Sequence, residues 1–111
     1  MSSGPETLLV GRMQKAIKRV YPSAWIFKVF GGGSHQRVGV PDLLVVVQGR
    51  LIALEVKAQG PTESDLHARE RATPTQLATL EALARAGAVG GVVLTVEEAL
   101  GLIEIALRPR P

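Results

Sequence analysis

Residues 42 to 57 constrain this chain more than any other stretch. Leu43 to Val47 is apolar at every position, Gln48-Gly49 supplies a turn, and Arg50 to Lys57 is a second run with an apolar centre from Leu51 to Leu54. Two runs rich in β-branched and leucine residues, split by a glycine-containing turn, read as a β-hairpin. With a two-residue loop, Val47 pairs with Arg50, and counting back along both arms sets Asp42 opposite Glu55. A four-residue loop keeps that register; a three-residue loop breaks it. Opposed residues share a face, with Cβ atoms about 4.5–5.5 Å apart, and Lys57, two residues past Glu55, lies on the same face.

Two carboxylates opposed in an otherwise apolar sheet repel and cost free energy. A divalent cation between them reverses that sign, because hard cations take carboxylate oxygens. The Lys57 ammonium beside such a cation could hold an anion or a water. The plainer alternative makes Asp42 a strand-start residue, and Glu55 and Lys57 a charge pair along one strand. It does not say why a strand apolar on both faces, and therefore central in its sheet, carries both charges.

Around the hairpin the chain punctuates itself. Pro5 suits a first helical turn, and Val10, Met13, Ile17 and Val20 recur at helical spacing as a core face. Glu6, four residues before Val10, sits on or beside that face. Ser3-Gly4-Pro5-Glu6 also fits a capping box, so Glu6 is either a cap or a site residue. Arg12, Lys15 and Arg19 form a basic stripe, read either as a solvated face or as phosphate contacts. Pro22 ends the helix, and Ala24 to Phe30 is strand-like with Trp25, Phe27 and Val29 on one face. Gly31-Gly32-Gly33 lacks the following helix and lysine of a phosphate-binding loop, and His35 lacks the partners of a metal ligand.

Ala58 to Ala72 is polar with little periodicity and is predicted to be a long loop, in which Arg69 and Arg71 are either phosphate contacts or exposed mixed charge. Thr73-Pro74-Thr75-Gln76 opens a helix with Thr73 as N-cap, Pro74 at N1 and Gln76 at N3. Its predicted buried stripe is Leu77, Leu80, Leu83 and Ala84, and Gly87 stops it. Ala88 to Leu94 is a fourth strand, with Gly90-Gly91 marking close packing, and the crossover makes it parallel to the strand carrying Glu55. Thr95 to Glu98 caps a last helix through Val96, Leu100, Ile103 and Leu107.

Pro41-Asp42 followed by Glu55-Val56-Lys57 resembles the PD-(D/E)xK nuclease signature. The Gly39-Val40-Pro41-Asp42 opening, with Glu6 upstream and Thr73-Pro74-Thr75-Gln76 downstream, resembles the VRR-Nuc branch, the virus-type replication and repair nucleases. The match runs from Glu6 to the final helix. It implies a restriction-endonuclease-like α/β fold, an αβββαβ core with a mixed central sheet flanked by helices. It also implies Mg²⁺ or Mn²⁺ held by Asp42, Glu55 and the Val56 carbonyl, with Glu6 binding directly or through water. The same resemblance gives Lys57 a catalytic role, places Gln76 beside the site, and puts Arg37 on a loop at its mouth, within reach of a DNA phosphate.

Length and composition agree. At 111 residues, 46% hydrophobic and 21% charged, the chain suits one globular domain spanning 1–111. It contains no cysteine, which excludes thiol chemistry and fits a cytoplasmic protein; the resemblance points to a bacterial or viral source. No apolar run approaches the roughly 20 residues of a membrane span. A net charge of +3 and a pI near 9.8 permit a polyanion partner. The expectation is a metal-dependent DNA endonuclease acting on branched DNA such as a Holliday junction. A homodimer is expected to join through the last helix or the edge strand near Trp25. The alternatives are a catalytically inactive DNA-binding or assembly module, or a nuclease acting on RNA or on flap or nicked DNA.

Overall fold

The structure, a computed structural model, describes residues 4–29 and 39–109. Helix α1 (Pro5–Val20) begins where Pro5 predicts, but its N-cap is Gly4, in extended conformation and with no side chain to accept a hydrogen bond. Glu6 therefore sits at N2, and the capping-box reading of Glu6 fails. Val10, Met13 and Ile17 are buried, while Val20, predicted to face the core, is exposed at the helix end. Lys18 folds the exit over, its Nζ donating to the carbonyls of Pro22 and Ala24 at 3.1 and 2.7 Å.

Four strands follow in the spatial order β1 (Trp25–Lys28), β2 (Leu43–Val47), β3 (Arg50–Val56), β4 (Val89–Val93). The first three are antiparallel, and β4 runs parallel to β3, as the strand–helix–strand order requires. The hairpin loop is two residues, with Val47 paired to Arg50. Gln48 and Gly49 both have positive φ, 50° and 76°, the signature of the tight turn whose twist matches its strands.

Period-two alternation divides the sheet. One face carries Leu43, Val45, Val47, Ile52, Leu54, Val56 and Val93, all buried in one cluster with α1 and with Ala99, Ile103 and Ala106 of α4 (Val96–Leu107). The opposite face carries Trp25, Phe27, Leu44, Val46, Ala53, Glu55, Gly90 and Val92. Helix α3 (Pro74–Arg85) packs on the β3–β4 part of it. A Cβ on Gly90 would stand 3.0 Å from the Ala53 carbonyl and 3.2 Å from Leu80, and one on Gly91 would reach Leu102 at 3.4 Å. The glycine pair thus lets helices close on both sides of β4.

Three expectations need correction. Residues 58–72 are not all loop: α2 (Asp65–Glu70) lies inside them, capped by Ser64, whose side chain accepts from the His67 N–H. Its one buried residue is Ala68, so no apolar stripe announced it. On α3 the predicted stripe narrows to Leu80; Leu77 is 48% exposed, Leu83 half-buried and Ala84 exposed. The helix rests on a ledge one residue wide. On α4, Ile103 is fully buried, and Leu100 and Leu107 pack against the same core. That helix face closes the subunit's own core and is not free to serve as a dimer interface.

Candidate active site

Asp42 stands one residue before β2, and its carbonyl accepts from the Val29 N–H at 2.9 Å. The register ends with Leu43 opposite Leu54, so the next step sets Asp42 opposite Glu55. Asp42 Oδ2 accepts from the Val56 N–H at 2.7 Å. The carboxylate thus takes over the ladder where the β2 backbone leaves it. The N–H and C=O of one strand residue leave on the same side, so the Val56 carbonyl points past β2 toward Asp42 as well. Sequence reasoning missed this hydrogen bond, although counting the β3 donors left without a β2 acceptor would have found it.

The approach to Asp42 is fixed from outside. Gly39 has φ +86°, and a Cβ there would meet Thr75 Cγ2 at 2.7 Å and the Thr75 carbonyl at 3.0 Å. Only glycine tolerates both the left-handed backbone and that contact. Pro41 is fully buried. The first turn of α3, on which Gly39 rests, is held by a complete capping box: Thr73 Oγ1 accepts from Gln76 N–H at 3.1 Å, and Gln76 Oε1 accepts from Thr73 N–H at 2.9 Å. Gln76 therefore shapes the approach to Asp42 through the cap.

Glu55 is 2% exposed, and Lys57 Nζ lies 3.6 Å from its Oε2. Burial, then the charge of Asp42 and a hydrogen bond with it, push the Glu55 carboxyl up to about 8; Lys57 opposes them. Near neutral pH the Glu55 carboxyl therefore keeps its proton, since burial and the facing Asp42 charge both disfavour its ionised form. Hard oxygen donors forced together in a buried place fit a divalent cation, which relieves their repulsion. Among the described residues no group of three or more His, Cys, Asp or Glu side chains converges. The site's side-chain donors are two, and Mg²⁺ commonly takes one or two carboxylates and completes its shell with water and phosphate.

The remaining predicted residues are scattered. Glu6 is half-exposed, its Oε1 3.4 Å from Arg71 Nη1. Arg71 also donates to the Ala58 carbonyl at 2.6 Å and to Glu63 at 2.9 and 3.1 Å. One guanidinium therefore ties the head of α1 to the residue after Lys57. Arg69 pairs with Glu98 and donates to the Val92 carbonyl. Both arginines, read as phosphate contacts or exposed charge, are engaged in internal ion pairs that pin α2. Arg12 lines a cavity of about 390 Å³ with Ala58 and Gln59. Lys15 and Arg19 are exposed farther along α1, on the sheet face opposite the carboxylates, and Arg19 is roughly 10 Å beyond Arg12. Arg37, His35 and the three glycines lie outside the described residues. No described helix is long and apolar enough to cross a membrane.

A mixed four-stranded sheet between helices, with Asp42 and Glu55-x-Lys57 at one end of its central hairpin, defines a restriction-endonuclease-like α/β nuclease fold. One solved structure, described as a VRR_NUC domain, is 30% identical over 92% of this chain and 97% of its own, with a TM-score of 0.56. A second, described as a VRR_NUC domain protein, shares the fold at 18% identity, with a TM-score of 0.66 over 96% of this chain and 91% of its own. No family model and no curated protein matches the sequence. The chain belongs to the VRR-Nuc family of nucleases.

Proposed function

We propose that this protein is a metal-dependent endonuclease that hydrolyses phosphodiester bonds in DNA. The observation that carries the proposal is the half-buried Asp42 opposite the buried Glu55, with Lys57 3.6 Å from Glu55, in a VRR-Nuc chain. Asp42 and Glu55, with the Val56 carbonyl, would hold Mg²⁺ or Mn²⁺. When bound, such an ion lowers the pKa of a coordinated water and neutralises charge on the phosphate. The hydrogen bond from Val56 holds Asp42 in one orientation. Glu55 must release its proton to act as a donor, so cation affinity should rise as pH climbs toward 8. Lys57 orients the attacking water or offsets charge in the pentavalent transition state, and Glu6 would bind the ion directly or through water.

Paired cuts on opposing strands of a branched DNA need two sites related by a two-fold axis, which a homodimer supplies. With α4 committed to its own core, the edge of β1, which pairs with no further described strand, is the remaining candidate. Antiparallel pairing there puts the axis perpendicular to the sheet and keeps both sites on one side of it.

The test is cleavage of labelled linear, flap, nicked and four-way DNAs, and of RNA, with and without Mg²⁺, beside light scattering at the same protein concentration. Asp42→Asn and Glu55→Gln should lose cleavage by about a hundredfold or more and lose Mn²⁺ binding in calorimetry; Lys57→Ala should lose a comparable rate and keep the metal. Cleavage retained in Asp42→Asn, while EDTA still inhibits the wild type, would overturn the site. A monomeric mass alone and on DNA would overturn the dimer.

A further inference from the structure

The chain has four aromatic residues, Trp25, Phe27, Tyr21 and Phe30, and its core of aliphatic side chains uses neither Trp25 nor Phe27. Trp25 is 56% and Phe27 48% exposed on edge strand β1. Their rings are stacked, with centroids 5.9 Å apart and planes within 9°. Leaving the largest apolar side chains in water on an ordered strand forgoes their burial energy.

Their position gives the arrangement a use. Trp25 pairs with Val46 and Phe27 with Leu44, so both rings stand on the face that carries Asp42, Glu55 and Lys57. The hydrogen bond between Val29 and Asp42 makes Phe27 the diagonal neighbour of Asp42, about 7–8 Å away by sheet geometry. Among the described residues, helix α3 packs on the β3–β4 half of this face, and Trp25 and Phe27 stay exposed beyond it. A strand that reaches Asp42 and Glu55 from the β1 side would pass over these two rings. A paired base hides its ring faces within the duplex stack, so an aromatic pair here serves only an unpaired base. Because the two rings already order each other, a base stacking on their outer face costs little side-chain freedom.

We infer that Trp25 and Phe27 form a stacking platform for an unpaired nucleobase of the substrate strand, next to the scissile phosphate. The inference rests on the nuclease reading of Asp42 and Glu55 and narrows its substrate to nucleic acid with unpaired nucleotides at the cut.

Trp25 is the only tryptophan, so its fluorescence reports the platform without any cleavage. In EDTA, titration of the wild type with oligo-dT and with a single-stranded flap should quench it saturably; a blunt duplex of equal length should not. Phe27→Ala should weaken oligo-dT binding by about tenfold. Trp25→Phe should bind close to wild type in an anisotropy assay with labelled oligo-dT, and Trp25→Ala should not. No quenching by unpaired DNA, or equal quenching by the duplex, overturns the platform. So does a change from dimer to monomer in Trp25→Ala, which would assign the face to a second copy. Quenching without cleavage of any substrate would sink the nuclease reading and leave the platform standing; cleavage indifferent to Trp25→Ala would do the reverse.

Discussion

Leu54 and Glu55 are neighbours in β3, yet they face opposite worlds. On the Leu54 side every β2 and β3 residue from the hairpin's middle to Val56 is aliphatic and covered by α1 and α4. On the Glu55 side the cover among the described residues is α3, packed through Leu80 on Ala53 and Gly90, and the same face holds two buried ionisable side chains and two exposed rings. Stability is concentrated on one face, so the other can carry opposed carboxylates, which no well-packed face tolerates cheaply. The two-residue period of a strand is the device that lets one segment serve both purposes.

Truncation should separate the faces first. Leu54→Ala removes a fully buried side chain and should cost about 2–5 kcal/mol. Leu77→Ala, on the exposed side of α3, should stay within about 0.5 kcal/mol. Urea unfolding of both variants checks the contrast. A Leu77→Ala loss near that of Leu54→Ala would mean that the site-bearing face is covered in solution.

Much of this division was legible in the sequence. Turn length and alternation alone set Asp42 opposite Glu55, because a hairpin's register follows from its loop. The Thr73–Gln76 cap and the parallel β4 were also legible, since both follow from local spacing and handedness. What escaped depends on distance. Arg71 finds Glu6 across 65 residues and Arg69 finds Glu98 across 29, and no local pattern marks such pairs. The α3 stripe was overread for a related reason: apolar spacing shows which residues could be buried, not how wide a ledge lies beneath them. The face of Trp25 and Phe27 was legible too, but their exposure depends on where α3 stops.

Acidity should separate the faces next. Burial and the facing Asp42 push the Glu55 carboxyl from an ordinary 4.5 up to about 8 in the folded chain. Between those values the folded state keeps a proton that the unfolded chain has lost, so stability falls as pH rises across that window. Melting temperature in EDTA should therefore drop from pH 5 to pH 8, and Glu55→Gln should flatten this part of the pH profile. Saturating Mn²⁺ should stabilise the wild type most at the alkaline end, where the carboxylates are free to bind it. A wild-type profile that rises toward pH 8 without metal would place a cationic partner beside Glu55 stronger than Lys57.

The smallest effect is the sharpest test of how the site-bearing face is built. Asp42 has two opposed influences on the metal-free protein: its charge repels Glu55, and its Oδ2 completes the ladder at Val56. Asp42→Asn removes the charge and keeps an acceptor oxygen, so its melting temperature at pH 8 should equal or exceed that of the wild type. Asp42→Ala removes both and leaves the Val56 N–H without its acceptor, a loss of about 1 kcal/mol, or roughly 4 °C for a domain of this size. Relief of the repulsion offsets part of that loss at pH 8 and little of it at pH 5, where wild-type Glu55 keeps its proton and Asp42 has little charge to repel. The alanine variant should therefore look worst in acid and the asparagine variant best in base. Thermal unfolding of both variants at the two pH values measures the hydrogen bond and the repulsion separately. If Asn and Ala fall together at pH 5, the Val56 hydrogen bond contributes nothing, and Asp42 is held in place by its neighbours alone.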